Sequence, residues 1–169
     1  MEDRQLSNNF NLSEFSFVEP DPRLLNILQY IRDYTARPIN ITDSWRDVPK
    51  LIQIYEKLEE EKKIKTIGNG LGDEELINII PWKSRHLPTF GNPYLRAVDI
   101  QSKRANGAFY TGEEIKDIIM EYVDSKEYLL DISLLGYTES QRYVGIGVGK
   151  QYIHIDVDRT RHTMWGYGY

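Results

Sequence analysis

Hydrophobic positions along the chain recur at two spacings. From Asp21 onward, Leu24, Leu25, Leu28 and Ile31 fall three and four apart, which lines one side of an α-helix. Asp21 followed by Pro22 supplies the start signal. An Asp side chain accepts from the first free N–H groups, and proline lacks the N–H that would go unbonded there. Pro38 closes that region, and PINITD reads as a short strand with Ile39 and Ile41 alternating. Leu51, Ile54, Tyr55 and Leu58 mark a further amphipathic helix, KLIQIYEKLEEEKKIK, whose charged run is a solvated face. The GNGLG segment is a turn without the Lys-Ser/Thr of a phosphate-binding loop, and DEELINII predicts another helix. Pro81, Pro88 and Pro93 then mark a long irregular loop. LRAVDI predicts a strand and TGEEIKDIIMEYVDS a helix capped by Thr111, while YLLDISLLGY fits no single element. RYVGIGVG and QYIHIDVD are β-runs joined by a Gly-Lys turn and predict a hairpin. Together these elements predict one α+β domain over residues 1–169, a small central antiparallel sheet with flanking helices. Residues 1–20, polar with Phe10, Phe15 and Phe17, read as an arm packed on that domain.

Composition narrows the function classes. A chain of 169 residues, 40% hydrophobic and 12% aromatic, is large and apolar enough for a core, which excludes wholesale disorder. A net charge of −5 argues against nucleic acid as a partner, because phosphate backbones require a basic face. With no cysteine there is no disulfide scaffold and no Cys-ligated zinc or iron–sulfur site. MEDRQLSNNFNLSEF lacks the apolar core of a signal peptide, and no stretch reaches the roughly 18 apolar residues of a membrane span. The expectation is a soluble protein without a secretion signal or a membrane partner.

Three histidines exist, at 86, 154 and 162. In QYIHIDVD the alternation puts Ile153, Ile155 and Val157 on one face and Tyr152, His154, Asp156 and Asp158 on the other. In LRAVDI, Asp99 likewise opposes Val98 and Ile100, so it can share a site with His154 if the two strands are neighbours. His86 lies in the Pro-rich loop just before. Two neutral imidazoles and one carboxylate suit zinc with a fourth position left for water, although a solvated outer face accounts for the same spacing. His162, in the charged turn DRTRHT, reads as solvated.

Four blocks, FNLSEF, LLNILQYIRDYTARPINITDSWR, SRHLPTFGNPYLRAVDI and YVGIGVGKQYIHIDVDRTRHTMWGY, resemble in order those of the M15 peptidase family. That family comprises zinc D,D-carboxypeptidases and related murein endopeptidases of the hedgehog/D,D-peptidase fold. The resemblance implies that His86, Asp99 and His154 bind zinc, and that Arg46 engages substrate or a tetrahedral oxyanion. It makes Asp156 either a general base or the partner that orients His154, and places Trp165 at the site wall. Two features depart from the family. The twelve residues from His86 to Asp99, LPTFGNPYLRAV, form a longer connection, and Gln151 and Tyr152 stand where many relatives carry a catalytic acid or histidine. The implied activity is cleavage of an amide bond in a peptidoglycan stem peptide or cross-bridge, as in a bacteriophage endolysin. The alternative is a catalytically silent virion or tail domain that binds peptide or other virion subunits.

Overall fold

Among the described residues, five strands form one sheet in the order β1-β2-β4-β3-β5: β1 (Ile39–Asp43), β2 (Ala97–Ser102), β3 (Gly145–Val148), β4 (Ile153–Asp156) and β5 (Thr163–Gly166). The computed structural model describes residues 2–44, 46, 49–50, 53, 85–88 and 92–167. The helix expected at Leu51, Ile54, Tyr55 and Leu58, the GNGLG turn and the DEELINII helix lie outside the described residues.

Three described helices accompany the sheet: α1 (Pro22–Thr35), α2 (Gly112–Val123) and α3 (Lys126–Leu134). Asp21 caps α1, its Oδ1 accepting from the Arg23 N–H at 2.9 Å. Thr111 and Glu114 close a reciprocal capping box at α2. The ambiguous YLLDISLLGY segment is resolved by Ser125 just before it. The Ser125 hydroxyl accepts from the Tyr128 N–H at 3.1 Å and starts α3, and Gly136 at φ +90° lies just past its end.

The strand pairs β1–β2, β2–β4 and β4–β3 are antiparallel, but β3–β5 is parallel, so the expected antiparallel sheet is in fact mixed. The reason lies in residues 157–162. The chain reverses after β4, as it would in a hairpin, yet passes the end of β3 and pairs on its far side. Asp158, at φ +69°, sits in that reversal.

Val98, Ile100, Ile146, Ile153 and Ile155 carry one sheet face into the core, which they share with Leu24, Ile27, Leu28 and Ile31 of α1 and Ile115 and Ile119 of α2. Each such side chain contributes roughly 1.5–3 kcal/mol on burial. Tyr30 stacks on Tyr122 at 4.2 Å and joins α1 to α2. Phe10 and Phe15 are also buried, and backbone bonds from Asp21 N to Leu95 O and from Leu95 N to Glu19 O tie the start of α1 to the approach to β2. Among the described residues no helix is long and apolar enough to cross a membrane.

Candidate metal centre

One row of residues crosses all five strands. Asp43 on β1 pairs with Asp99 on β2, Asp99 with His154 on β4, His154 with Gly147 on β3, and Gly147 with Trp165 on β5. Directly paired residues project from the same face of a sheet. The row therefore stands on the face opposite Ile100, Ile153 and Ile155.

His86 reaches this face from a turn, residues 85–88, that lies outside the strands among the described residues. Hydrogen bonds to its described residues hold it there. Arg46 N–H donates to the His86 carbonyl at 3.2 Å and Arg96 N–H to the Arg85 carbonyl at 3.1 Å. The Arg85 guanidinium donates to the Val157 and Asp158 carbonyls, each at 3.1 Å. These contacts hold the His86 imidazole against the sheet.

Three ligand atoms converge there. His86 Nε2 is 3.2 Å from His154 Nδ1, His154 Nδ1 is 2.8 Å from Asp99 Oδ1, and His86 Nε2 is 3.8 Å from Asp99 Oδ1. These edges bracket the ~3.3 Å that separates ligands of a tetrahedral ion held at about 2.0–2.1 Å. The remaining ring nitrogens decide which lone pairs face inward. His86 Nδ1 lies 2.5 Å from the Ser44 carbonyl, which can only accept, so that nitrogen carries the proton and Nε2 is left as a donor to a metal. His154 lies between two carboxylates, Nε2 3.0 Å from Asp156 Oδ2 and Nδ1 2.8 Å from Asp99 Oδ1. Nδ1 is the nitrogen that faces inward, and Asp156 can keep a proton on Nε2 when Nδ1 gives its own up to a metal. Three lone pairs crowded together repel unless a cation sits among them. A proton on His154 can bridge to Asp99, whereas a divalent ion satisfies all three at once. His86, Asp99 and His154 form, among the described residues, a group able to hold a metal ion.

The electrostatics follow from burial and neighbours. Burial and the adjacent His154 ring push His86 down to about 4, so its imidazole is neutral at pH 7. Burial alone lowers His154, but hydrogen bonds to Asp156 and Asp99 outweigh it and raise it above the ordinary histidine value. Burial opposes ionisation of Asp99, yet His154, His86 and Arg46 hold it below the usual carboxylate range. Asp156 is pushed down to about 2 against its burial, chiefly by Arg159.

Arg46 spans two carboxylates, donating from Nε to Asp43 Oδ2 at 2.8 Å and from Nη2 to Asp99 Oδ2 at 2.7 Å. Its Nη1 has no hydrogen-bond partner among the described residues. Asp99 thus turns Oδ1 towards the imidazoles and Oδ2 towards Arg46. Asp156 sits behind His154, 1% exposed, with Arg159 Nε and Nη2 each 2.5 Å from one of its oxygens.

The β3 glycines make room for this arrangement. A Cβ on Gly147 would lie 2.6 Å from the Tyr167 ring and 2.7 Å from Trp165 Nε1, and one on Gly145 would lie 2.6 Å from both Arg159 and Asp156. Trp165 consequently lies flat enough on β3 for its ring to approach His154, 5.4 Å between centroids, with Tyr167 beyond it.

Two expected placements differ. Asp158 leaves the face shared by His154 and Asp156, because the φ +69° turn redirects it to Arg96 at 3.0 Å and Arg23 at 4.0 Å. His162 is not simply solvated. It is half-buried, accepts from the Val144 N–H at 3.3 Å and meets Tyr143 edge-on, so it braces the entry to β3. Asp43, the Ser44 carbonyl, Gly145 and Arg159 also build the site, and none was singled out by motif reading. The alternate glycines of GIGVG were the available signal, since two glycines two apart on a strand mark a face that another group approaches closely.

No protein-family model matches the chain, and no curated protein matches it.

Proposed function

We propose that the protein is a zinc-dependent peptidase that cleaves an amide bond in a peptidoglycan stem peptide or cross-bridge, on a hedgehog/D,D-peptidase-like fold. One observation carries the reading: two imidazoles and a carboxylate converge, with His86 Nδ1 committed to the Ser44 carbonyl and Asp156 placed to take the outer proton of His154, so that a cation displacing the proton between His154 and Asp99 would meet two ring nitrogens and a carboxylate oxygen. The resemblance to the M15 blocks gives the reaction class.

His86, Asp99 and His154 would hold the ion. Zinc, when bound, polarises an amide carbonyl and brings the pKa of bound water towards about 7. The chain's own residues orient the ligands, meet the developing charge and shape the wall. Asp156 keeps the proton on His154 Nε2, and its clamping by Arg159 suits it to orientation better than to proton transfer. Arg46, tethered at Nε and Nη2, presents Nη1 to the oxygen on which charge develops as the carbonyl becomes tetrahedral. Trp165 and Tyr167 form an apolar wall that restricts water on the β5 side.

The test is digestion of purified murein and synthetic stem peptides by zinc-loaded protein, with products identified by mass spectrometry. Release of new amino and carboxyl termini by the wild type, absent from His154→Ala, supports the reading. A zinc-loaded protein that releases nothing overturns it in favour of a peptide-binding virion or tail domain.

A further inference from the structure

Asp156 makes an unusually complete set of contacts for a residue that touches the site only through another. Arg159 donates to it twice, from Nε to Oδ1 and from Nη2 to Oδ2, each at 2.5 Å. His154 Nε2 takes the remaining direction on Oδ2 at 3.0 Å. A forked guanidinium that meets both oxygens fixes the plane of a carboxylate, which a single ammonium cannot do. The same guanidinium stands 5.5 Å from the centre of the Trp165 ring, so it also backs the aromatic wall.

We infer that Arg159 is the positioning residue of the metal centre: its two-point grip on Asp156 aims the His154 ring and thereby sets metal affinity. This rests on the metal-centre reading above.

A competing influence favours the opposite result. Removing a cation from beside Asp156 makes the carboxylate a stronger acceptor, which raises the donor strength of His154. Orientation wins because of Arg85, whose Nε lies 3.4 Å from Asp156 Oδ1, on the oxygen that His154 does not use. Without Arg159, Arg85 is the guanidinium left beside the carboxylate; it approaches only Oδ1 and its Nε already donates to the Val157 carbonyl, so it cannot grip both oxygens and Oδ2 is no longer held toward the imidazole. Gly145 gives independent access to the same grip. A methyl group there would lie 2.6 Å from both Arg159 Nη2 and Asp156 Oδ2, and so disturb the contact with both partners still present.

The experiment measures Zn2+ dissociation constants by chelator competition and the visible absorption of the Co2+-loaded protein, for the wild type, Arg159→Met, Arg159→Lys and Gly145→Ala. Tyr122→Phe, on the helical side of the core, is the control for a general loss of stability. Arg159→Met and Gly145→Ala are expected to bind zinc about 10-fold more weakly, the low end of the range for losing a direct partner of a ligating histidine, because Arg159 acts through Asp156. Both should also show an altered Co2+ spectrum, with Arg159→Lys recovering part of the affinity. If Arg159→Met does not fold, Arg159→Lys and Gly145→Ala carry the comparison. Affinities within twofold of wild type, or losses no greater than in Tyr122→Phe, overturn the role of Arg159. A wild-type protein that binds neither metal overturns the metal centre itself, and this inference with it.

Discussion

Asp43 pairs with Asp99 across β1 and β2 just past a shift in register after Ile41, and one guanidinium, that of Arg46, bridges the two carboxylates. Like charges paired across strands repel, so the edge of this sheet is built around a cation. Arg46→Met is expected to lower stability by about 1–3 kcal/mol in the metal-free protein, the range for hydrogen bonds to charged groups. The loss should shrink once zinc is present, because the ion then neutralises Asp99. Denaturant midpoints with and without zinc check this. An equal loss in both states would show that the repulsion between the two carboxylates is not what Arg46 relieves.

The same substitution separates binding from chemistry. Arg46 is not among the three residues proposed to hold zinc, so Arg46→Met should still take up about one zinc per chain when zinc is in excess. Turnover of a stem peptide should fall about 10²–10³-fold, the usual cost of removing one donor to a developing oxyanion. Metal content by mass spectrometry and kcat on the same preparation decide the matter.

Metal should stabilise the fold. At a free zinc concentration one hundred times the dissociation constant, linkage supplies about 2.7 kcal/mol. For a domain of this size that raises Tm by about 5–10 °C. A chelator should reverse the shift, and His86→Ala, Asp99→Ala and His154→Ala should each abolish it. A shift that survives in all three variants would place the bound zinc elsewhere.

Parts of this site were legible in the chain, for a physical reason. Side chains alternate along a strand, so QYIHIDVD alone puts His154 and Asp156 on one face and Ile153 and Ile155 on the other. Alternation names the face but not the neighbour. His154 and Asp99 are 55 residues apart, and only the pairing of β2 with β4 brings them to 2.8 Å. The ending MWGYGY gave no sign of pairing parallel to β3, since that contact skips over an intervening strand end. Arg159 could not be recognised as part of the site either. Its place depends on the absence of a side chain at Gly145, on a strand that the chain enters before it reaches His154. The motifs thus named the three residues able to hold a metal ion, and the sheet order places Asp43 and Arg159 around them.

Gly147 gives a packing test. Gly147→Ala drives a methyl group into Trp165 and Tyr167 and should cost about 1–3 kcal/mol, the range for overpacking. The near-ultraviolet circular dichroism of the aromatic wall should change with it. Gly166→Ala, where a Cβ meets nothing within 4 Å, should leave both stability and spectrum close to wild type. Equal behaviour of the two variants would remove the steric argument for the β3 glycines.

The helical side of the core predicts an alkaline limit on stability. Tyr122 is 3% exposed and donates to Asp131 Oδ2 at 2.5 Å. Burial, then the Asp131 carboxylate, raises its phenol well above the ordinary value of 10, and burial raises neighbouring Tyr128 as well. Above pH ~10 the unfolded chain releases these protons while the folded one keeps them, so the native state binds more protons than the unfolded state. Stability therefore falls as pH rises, and the contribution is fully present below pH ~10. Urea midpoints should be level from pH 7 to 9 and drop above about pH 10. Tyr122→Phe should be less stable at pH 8 by about 1 kcal/mol, for the lost hydrogen bond, yet its midpoint should decline less steeply at high pH. Parallel declines in the two proteins would show that the alkaline loss comes from groups other than Tyr122.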